Sequence, residues 1–361
     1  MKRRYSDKIV GAVIFAALTI FSTQTHAGNE DRIGAAGATQ LLLNPWARSA
    51  GFGNANFATV EGVDAIYGNV SGLAFMNQTQ VGFTHTRYLG SSGIGINAIG
   101  LGQRVGQASV LGVNVVTMNF GEIERTTVNQ PEGGLGTYRP TFGHIALSYA
   151  REFSNSIYGG ITVKAVTEGV ADAKAQGVAF DAGIRYVTGE YNNFKFGISL
   201  KNIGPKMNYE GDGLSLTNTL DEKQFTLEQR TEGYELPSVL NLGASYDFLL
   251  GNIADSAGTD FVAEHRITGA FNFMSNSFGK DQFSLGVEYG LKEMFMVRLG
   301  LAYEEDLFDS EASQNVTTGP TAGFTVALPI GDEGKSVDLD YSYRDTNPFD
   351  GIHSIGLTLD L

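Results

Sequence analysis

Four histidines are the residues best suited to catalysis or metal binding in the part of the chain that follows residue 27. Each lies in a different segment of alternating hydrophobicity, and none has a carboxylate or serine at the close spacing that a metal or nucleophilic site requires. The chain also lacks cysteine, which excludes thiolate metal sites and disulfides. We therefore expect no cofactor, no metal and no catalysis, and we interpret these histidines as structural polar residues: His85, His144, His265 and His353.

Six charged residues lie in segments that are otherwise rich in apolar residues. If those segments cross a bilayer, a charge facing lipid at the midplane would cost about 2–4 kcal/mol, so the charges must face inward. We expect them to pair with one another and with the N-terminal segment, Arg48 included, and a solute pathway is the alternative. The six are Lys164, Asp181, Arg185, Lys195, Glu288 and Arg298.

Two long connections, 204–236 and 305–318, mix acidic residues with apolar ones. A run of charge by itself indicates a solvated surface, but apolar residues inside such a run are typical of a partner site. We predict that protein partners bind at these loops, and a lid over the barrel is the alternative. The predicted contact residues are Phe225, Leu227, Leu307 and Phe308.

The elements that position these residues alternate with a period of two. In the segment 193–203, Phe194 and Phe196 alternate with Lys195 and Gly197, which gives one face for hydrocarbon and one for water. Fourteen segments are predicted as strands on this basis: 79–89, 91–104, 106–118, 141–152, 156–168, 176–187, 193–203, 237–249, 259–274, 281–291, 294–304, 319–330, 335–344 and 351–361.

The lengths of the connections support a membrane barrel. Transmembrane barrels have long extracellular loops and short periplasmic turns, which alternate along the chain. The longest connections follow strands 3, 7 and 11, and short ones follow strands 4, 6, 10 and 12. A soluble β-sandwich of this length would have two domains and a linker, and no linker composition is present. The sequence therefore predicts an all-β fold, a 14-stranded antiparallel transmembrane β-barrel.

The N-terminal part divides into two further regions. Residues 1–27 have a basic start, an apolar run and a small-residue cleavage site, so we predict a cleaved secretory signal peptide and export to the outer membrane. Residues 28–78 do not alternate, and we predict a plug inside the lumen of the barrel formed by 79–361. The net charge of −14 argues against nucleic acid as a partner.

Two motifs in the plug region resemble the PorV/PorQ family of outer-membrane proteins, with a pattern nearest to PorV. The stretch 37–53, GATQLLLNPWARSAGFG, is similar to the family's opening, and 64–74, DAIYGNVSGLA, is similar to its next motif. In the second, Val70 and Ser71 stand where the family has Pro-Ala. Shorter likenesses extend over the rest of the barrel. The residues that carry the plug motifs are Arg48, Gly51, Gly53, Asn69, Gly72 and Leu73.

The resemblance implies a fold like that of the fatty-acid transporter FadL and a role in the type IX secretion system. It implies a non-catalytic barrel that binds the C-terminal domains of secreted cargo and passes them from the translocon to the attachment machinery. Its partners would be those proteins, the cargo and outer-membrane lipid. The alternatives are a FadL-like channel for hydrophobic solutes, and a lipid-modifying enzyme, against which the scattered histidines argue.

Overall fold

The computed structural model describes residues 30–220, 223–255, 261–305, 307, 315–331, 335–346 and 349–361. The predicted signal peptide, 1–27, lies outside the described residues, as do the first two residues of the predicted plug. Among the described residues no helix is both long enough and apolar enough to span a membrane.

Fourteen long antiparallel strands form the wall of the molecule. They are β1 (Thr79–Tyr88), β2 (Ile94–Val105), β3 (Ser109–Asn119), β4 (Thr141–Ser154), β5 (Ile157–Val170), β6 (Ala173–Thr188), β7 (Phe194–Ile203), β8 (Val239–Asp255), β9 (Phe261–Asn276), β10 (Gln282–Leu291), β11 (Phe295–Glu304), β12 (Gly319–Pro329), β13 (Ser336–Arg344) and β14 (Ile352–Asp360).

Each strand pairs with its neighbours in the chain, and the last pairs with the first. Gln80 of β1 lies opposite Asp360 of β14, and the register continues to Arg87 opposite His353. The sheet is therefore closed and satisfies its backbone hydrogen bonds within the wall, as a membrane-spanning sheet must. The predicted fold is confirmed.

The pleat of the strands sends alternate side chains to the outside and to the lumen. In β5, Ile161 and Val163 are 58% and 40% exposed on the outer face, whereas Thr162 and Lys164 are buried. This pattern recurs round the wall and agrees with the period of two in the sequence. The outer face is apolar because it meets lipid, and the inner face carries the polar groups.

Four predicted strand ends are wrong by three residues or more. β2 begins at Ile94 and β3 at Ser109, each three residues later than predicted. β8 runs to Asp255, where 250–258 was predicted as a connection, because a register shift between Leu250 and Ile253 lets pairing with β9 continue. β6 begins at Ala173 rather than at 176, and its first residues pair with a two-residue strand, Tyr209–Glu210, from the long loop.

Residues 30–78 occupy the lumen as a plug built from short turns. It contains one α-helical turn, α1 (Ala47–Gly51), and several 3-10 turns. None of these turns is a strand, so the two-residue alternation of the wall is absent from this segment. Residues 39–42 form one of these 3-10 turns, and the stretch 51–75 contains three more. The 3-10 turns are Glu30–Arg32, Thr39–Leu42, Ala55–Ala58, Gly62–Ile66 and Val70–Phe75.

The two longest outer loops contain hairpins of their own. Ile123–Glu124 pairs with Thr137–Tyr138 in the loop after β3, and Ser215–Leu220 pairs with Lys223–Glu228 in the loop after β7. These loops stand at the end of the barrel where β11 ends and β12 begins. We call this end outer, and the opposite end, with the short turns, inner.

Candidate functional site

The plug begins at the outer end, where the loop after β7 holds it. Arg32 donates to Glu235 at 2.7 Å, and its guanidinium lies 4.2 Å above the ring of Phe278. The hydrogen bond from Arg32 holds the pKa of Glu235 below its ordinary value. The amide of Gly37 also donates to the Glu235 carbonyl at 3.0 Å. The start of the described plug is thus fastened at the outer rim.

A buried carboxylate joins the plug to the same loop. Glu168, near the outer end of β5, is 3% exposed and accepts hydrogen bonds from Gln40 at 2.7 Å, Tyr209 at 2.9 Å and Tyr234 at 2.5 Å. Three donors on one carboxylate compensate for its burial. The loop after β7 therefore folds inward over the plug.

Further down, the plug lies against glycines of the wall. Trp46 is 1% exposed, and its ring atoms lie 3.0–3.3 Å from the position that a Cβ would take at Gly82 and 3.1–3.2 Å from that position at Gly100. Val63 approaches the same two positions to 2.7 and 2.9 Å. A side chain at either glycine would overlap the plug.

Other glycines of the inner face share this property. At each, an added Cβ would lie within 3.0 Å of a plug atom, which is closer than real Cβ atoms come to their neighbours. They occur on eight of the fourteen strands, so the plug touches most of the circumference. Within the described residues these glycines are Gly82, Gly100, Gly102, Gly112, Gly183, Gly197, Gly243, Gly286 and Gly300, and we call them the glycine belt.

The first plug motif contacts the wall on the side of β11 to β13. Arg48 donates to Asp338 at 2.9 Å and to Asp340 at 3.2 Å, both on β13. Gly51 lies beside Gly323, since an added Cβ would be 2.9 Å from the Gly323 Cα. Gly53 has a φ of +67°, a left-handed conformation that favours glycine.

The second plug motif contacts the opposite side. Asn69 donates to the Ile184 carbonyl of β6 at 3.1 Å and accepts from the Ser71 hydroxyl at 2.7 Å. Ser71, which departs from the family pattern, thus closes this turn. Gly72 has no room for a Cβ against the Val60 carbonyl, and Leu73 is fully buried against the wall.

The six charged residues predicted to face inward are buried and paired. Lys164 contacts Asp181 at 2.5 Å, and Arg298 contacts Glu288 at 2.6 Å, in each case across neighbouring strands. The other two cations reach the plug: Arg185 lies 3.2 Å and Lys195 3.7 Å from a carboxylate oxygen of Glu61, and Lys195 also lies 3.4 Å from Asp247.

Sequence reasoning missed other members of these networks. Arg266 of β9 bridges Glu288 at 2.9 Å and Glu293 at 2.7 Å. Its place on the inner face of the predicted strand 9 could have indicated it. No alternation of this kind could have indicated Glu61, because the plug sequence has no regular period.

Two cavities lie on opposite sides of the plug. The inner cavity has a volume of about 220 Å³ and is lined by paired charges that include Arg48, Lys195, Glu288 and Arg298. The outer cavity is smaller, about 70 Å³, and Lys201, Arg344 and several Asn, Ser and Thr side chains line it. The plug contributes to both linings and separates them.

The wall shows no gap beside the first strands. The registers of β1 with β2, β2 with β3 and β3 with β4 are continuous. Between β6 and β7 a bulge leaves Lys201 and Asn202 opposite Asp181. Asn202, with a φ of +60°, accepts from Lys164 at 2.9 Å and donates to the Pro237 carbonyl at 3.1 Å, so polar contacts fill the bulge.

The predicted partner residues lie in two loops. Phe225 and Leu227 share one face of the hairpin after β7 and are 37% and 55% exposed, and Leu216, opposite Leu227, is 62% exposed. Leu307 is half-buried just beyond β11. Phe308 lies outside the described residues. The structure therefore does not bring the two pairs into one described surface.

The histidines remain scattered. His85, His265 and His353 lie on the outer face, each 2.8 Å from an Asn or Tyr side chain. His144 lies on the inner face of β4. In the described part of the chain no three His, Asp or Glu residues are grouped so that they could hold a metal ion.

No protein-family model and no curated protein matches this sequence. Solved structures do match. The CymD monoaromatic hydrocarbon channel is 14% identical, with a TM-score of 0.53, over 87% of this chain and 95% of CymD. The Pseudomonas putida toluene transporter TodX is 11% identical, with a TM-score of 0.52, over 88% of this chain and 97% of TodX. A Pseudomonas aeruginosa FadL homologue gives 12% identity and a TM-score of 0.48, over 87% and 98%.

At these identities the similarity to CymD and TodX establishes the fold. Together with the closed sheet and the apolar outer face, it defines the class: a fourteen-stranded antiparallel transmembrane β-barrel. The lumen of this particular barrel holds a plug that fits against the glycine belt.

Replacing a belt glycine should displace the plug. For Gly100→Leu we expect overpacking against Trp46 and Val63 that costs about 1–3 kcal/mol. Because Trp46 is the only tryptophan, its fluorescence reports the plug alone, and its emission should shift to longer wavelength as the ring meets water. Gly269→Leu is the matched control, since nothing lies within 4 Å of its Cβ position. Identical spectra for both variants would contradict the close packing.

Proposed function

We propose that this barrel carries a small hydrophobic or amphipathic solute across the outer membrane, with the plug as the barrier. The proposal is supported by the architecture, since the solved barrels that resemble it in fold are named as a hydrocarbon channel and a toluene transporter.

The observation that carries the proposal is the pair of cavities. One opens beneath the outer loops and the other at the inner end, and residues of the plug line both. A solute in the outer cavity can reach the inner one only if the plug shifts. The plug is made of short turns, whose contacts with the wall can change without breaking the hydrogen-bonded sheet.

Locking the plug to the wall should therefore abolish uptake. The Ala47 Cβ in α1 lies 3.5 Å from the Cβ position of Gly356 on β14, within the range for a disulfide. Because the chain has no other cysteine, Ala47→Cys with Gly356→Cys can form one defined bond. Oxidised, this variant should reduce toluene uptake by a deletion strain to the level without the protein, and a reductant should restore it.

The two single-cysteine variants are the controls, and both should transport with and without oxidant. Full disulfide formation with uptake unchanged would contradict a route past the plug. Uptake of neither toluene nor benzoate by the unmodified protein would reject the proposed function itself.

A second candidate, protein binding in the type IX secretion pathway, is favoured by one observation. The hairpin after β7 exposes an apolar face that carries Leu216, Phe225 and Leu227. Exposed apolar residues grouped in this way are typical of a partner site, where a few side chains supply most of the affinity. The secreted cargo domain, the translocon and the attachment-complex proteins are the proposed partners.

Replacing Phe225 and Leu227 together by Ser should reduce the amount of cargo that co-purifies from solubilised membranes, because the apolar contact is lost. Insertion into the membrane and the faster gel migration of the unheated, folded barrel should not change, since in the described structure the strands of this hairpin form a sheet of their own that does not pair with the wall. Val128→Ser, at a 99% exposed position in the loop after β3, is the control. Undiminished cargo recovery with the double variant would place the partner surface elsewhere or reject this candidate.

A further inference from the structure

Charge compensation differs between the two cavities. The inner cavity brings four cations, Arg48, Lys195, Arg266 and Arg298, together with the carboxylates of Glu61, Asp247, Glu288 and Glu293. The outer cavity has two cations, Lys201 and Arg344, and no aspartate or glutamate among the described residues that line it. An uncompensated charge away from water is costly, so this imbalance requires an explanation.

Lys201 points inward from β7 and is 2% exposed. Its Nζ lies 3.4 Å from the centre of the Tyr67 ring and 5.6 Å from that of Phe57. Cation–π contacts of this kind orient and partly stabilise an ammonium group, but they supply no counter-charge. Lys201 forms no ion pair with any described carboxylate, whereas its neighbour Lys164 is paired with Asp181.

Arg344, the last residue of β13, is 6% exposed. Its Nη1 is buried with no hydrogen-bond partner in the described structure, and it too lacks an ion pair there. Asn241, from β8, lines the same cavity, and its Nδ2 is a second buried donor without a partner. Donors left unpaired in this way are rare in folded proteins and indicate a missing acceptor.

We propose that the outer cavity binds the carboxylate group of a small organic acid between Lys201 and Arg344. A guanidinium offers paired donors that match the two oxygens of a carboxylate, and an amide donor such as Asn241 adds a further bond. The rings of Phe57, Tyr67 and Tyr88 lie in the same lining and favour an aromatic or apolar body for the acid. A neutral hydrocarbon, by contrast, leaves both cations unpaired.

This inference rests on the proposed function in that it names the class of solute, but binding is measured separately from uptake. Titration calorimetry on the full-length protein from outer membranes, in a non-ionic detergent at low salt, would use benzoate as the probe. Benzamide, of the same shape but neutral, and inorganic phosphate are the comparison ligands. We expect benzoate to bind and benzamide and phosphate not to bind.

Removing either cation should weaken benzoate binding. Because a hydrogen bond to a charged group is lost, we expect Arg344→Gln and Lys201→Met each to lower the affinity about tenfold or more. Arg344→Lys keeps the charge but loses the paired donors, so it should lower the affinity less than Arg344→Gln does. Lys206→Gln removes the same charge at a position whose side chain is 60% exposed, outside the cavity, and should change nothing.

Equal binding of benzoate and benzamide would overturn the proposal, as would binding of phosphate but not benzoate. So would wild-type affinity in a heat-modifiable, hence folded, Arg344→Gln variant. Uptake separates the two claims. Benzoate binding without any solute uptake would support the anion site and reject transport, whereas toluene uptake without benzoate binding would reject the anion site alone.

Discussion

The close approach of the plug to the wall is the constraint on which the rest of the structure depends. A lumen enclosed by fourteen strands could hold water, but here the backbone and side chains of residues 46–74 come within contact distance of the strands themselves. Only glycine permits this at positions such as Gly100 and Gly300. The glycines of the belt therefore follow from the requirement to fill the lumen, and the separation of the two cavities follows from that filling.

The charges of the lumen obey the same constraint. Once the plug excludes water, each inward charge needs a partner at short range, because an uncompensated buried charge costs about 3–5 kcal/mol. Glu61 of the plug meets Arg185 and Lys195, and Arg48 meets two carboxylates of β13. These ion pairs fix the orientation of the plug as well as its depth. The unpaired cations of the outer cavity are the exception to this rule.

The wall could be predicted from the sequence because the period of two is a local property, imposed by lipid on one face and the lumen on the other. The same period placed Lys164 and Arg298 inside. For the plug, the sequence indicated where the segment lies but not how its turns fold. Those turns are stabilised by wall residues that are distant in sequence, as where Asn69 contacts Ile184. That Arg344 has no ion pair among the described residues was equally out of reach, because it depends on which side chains meet across the lumen.

Hydrogen–deuterium exchange on the membrane-extracted protein would test most directly whether the plug is an integral part of the barrel. The account predicts that amides in 46–74 exchange slowly, on the timescale of the flanking strands, since they are enclosed between wall and cavities. The paired hairpin strands 215–220 and 223–228 should exchange faster than either. Exchange of 46–74 at the rate of an unstructured peptide, with the strands still protected, would contradict a plug seated on the glycine belt.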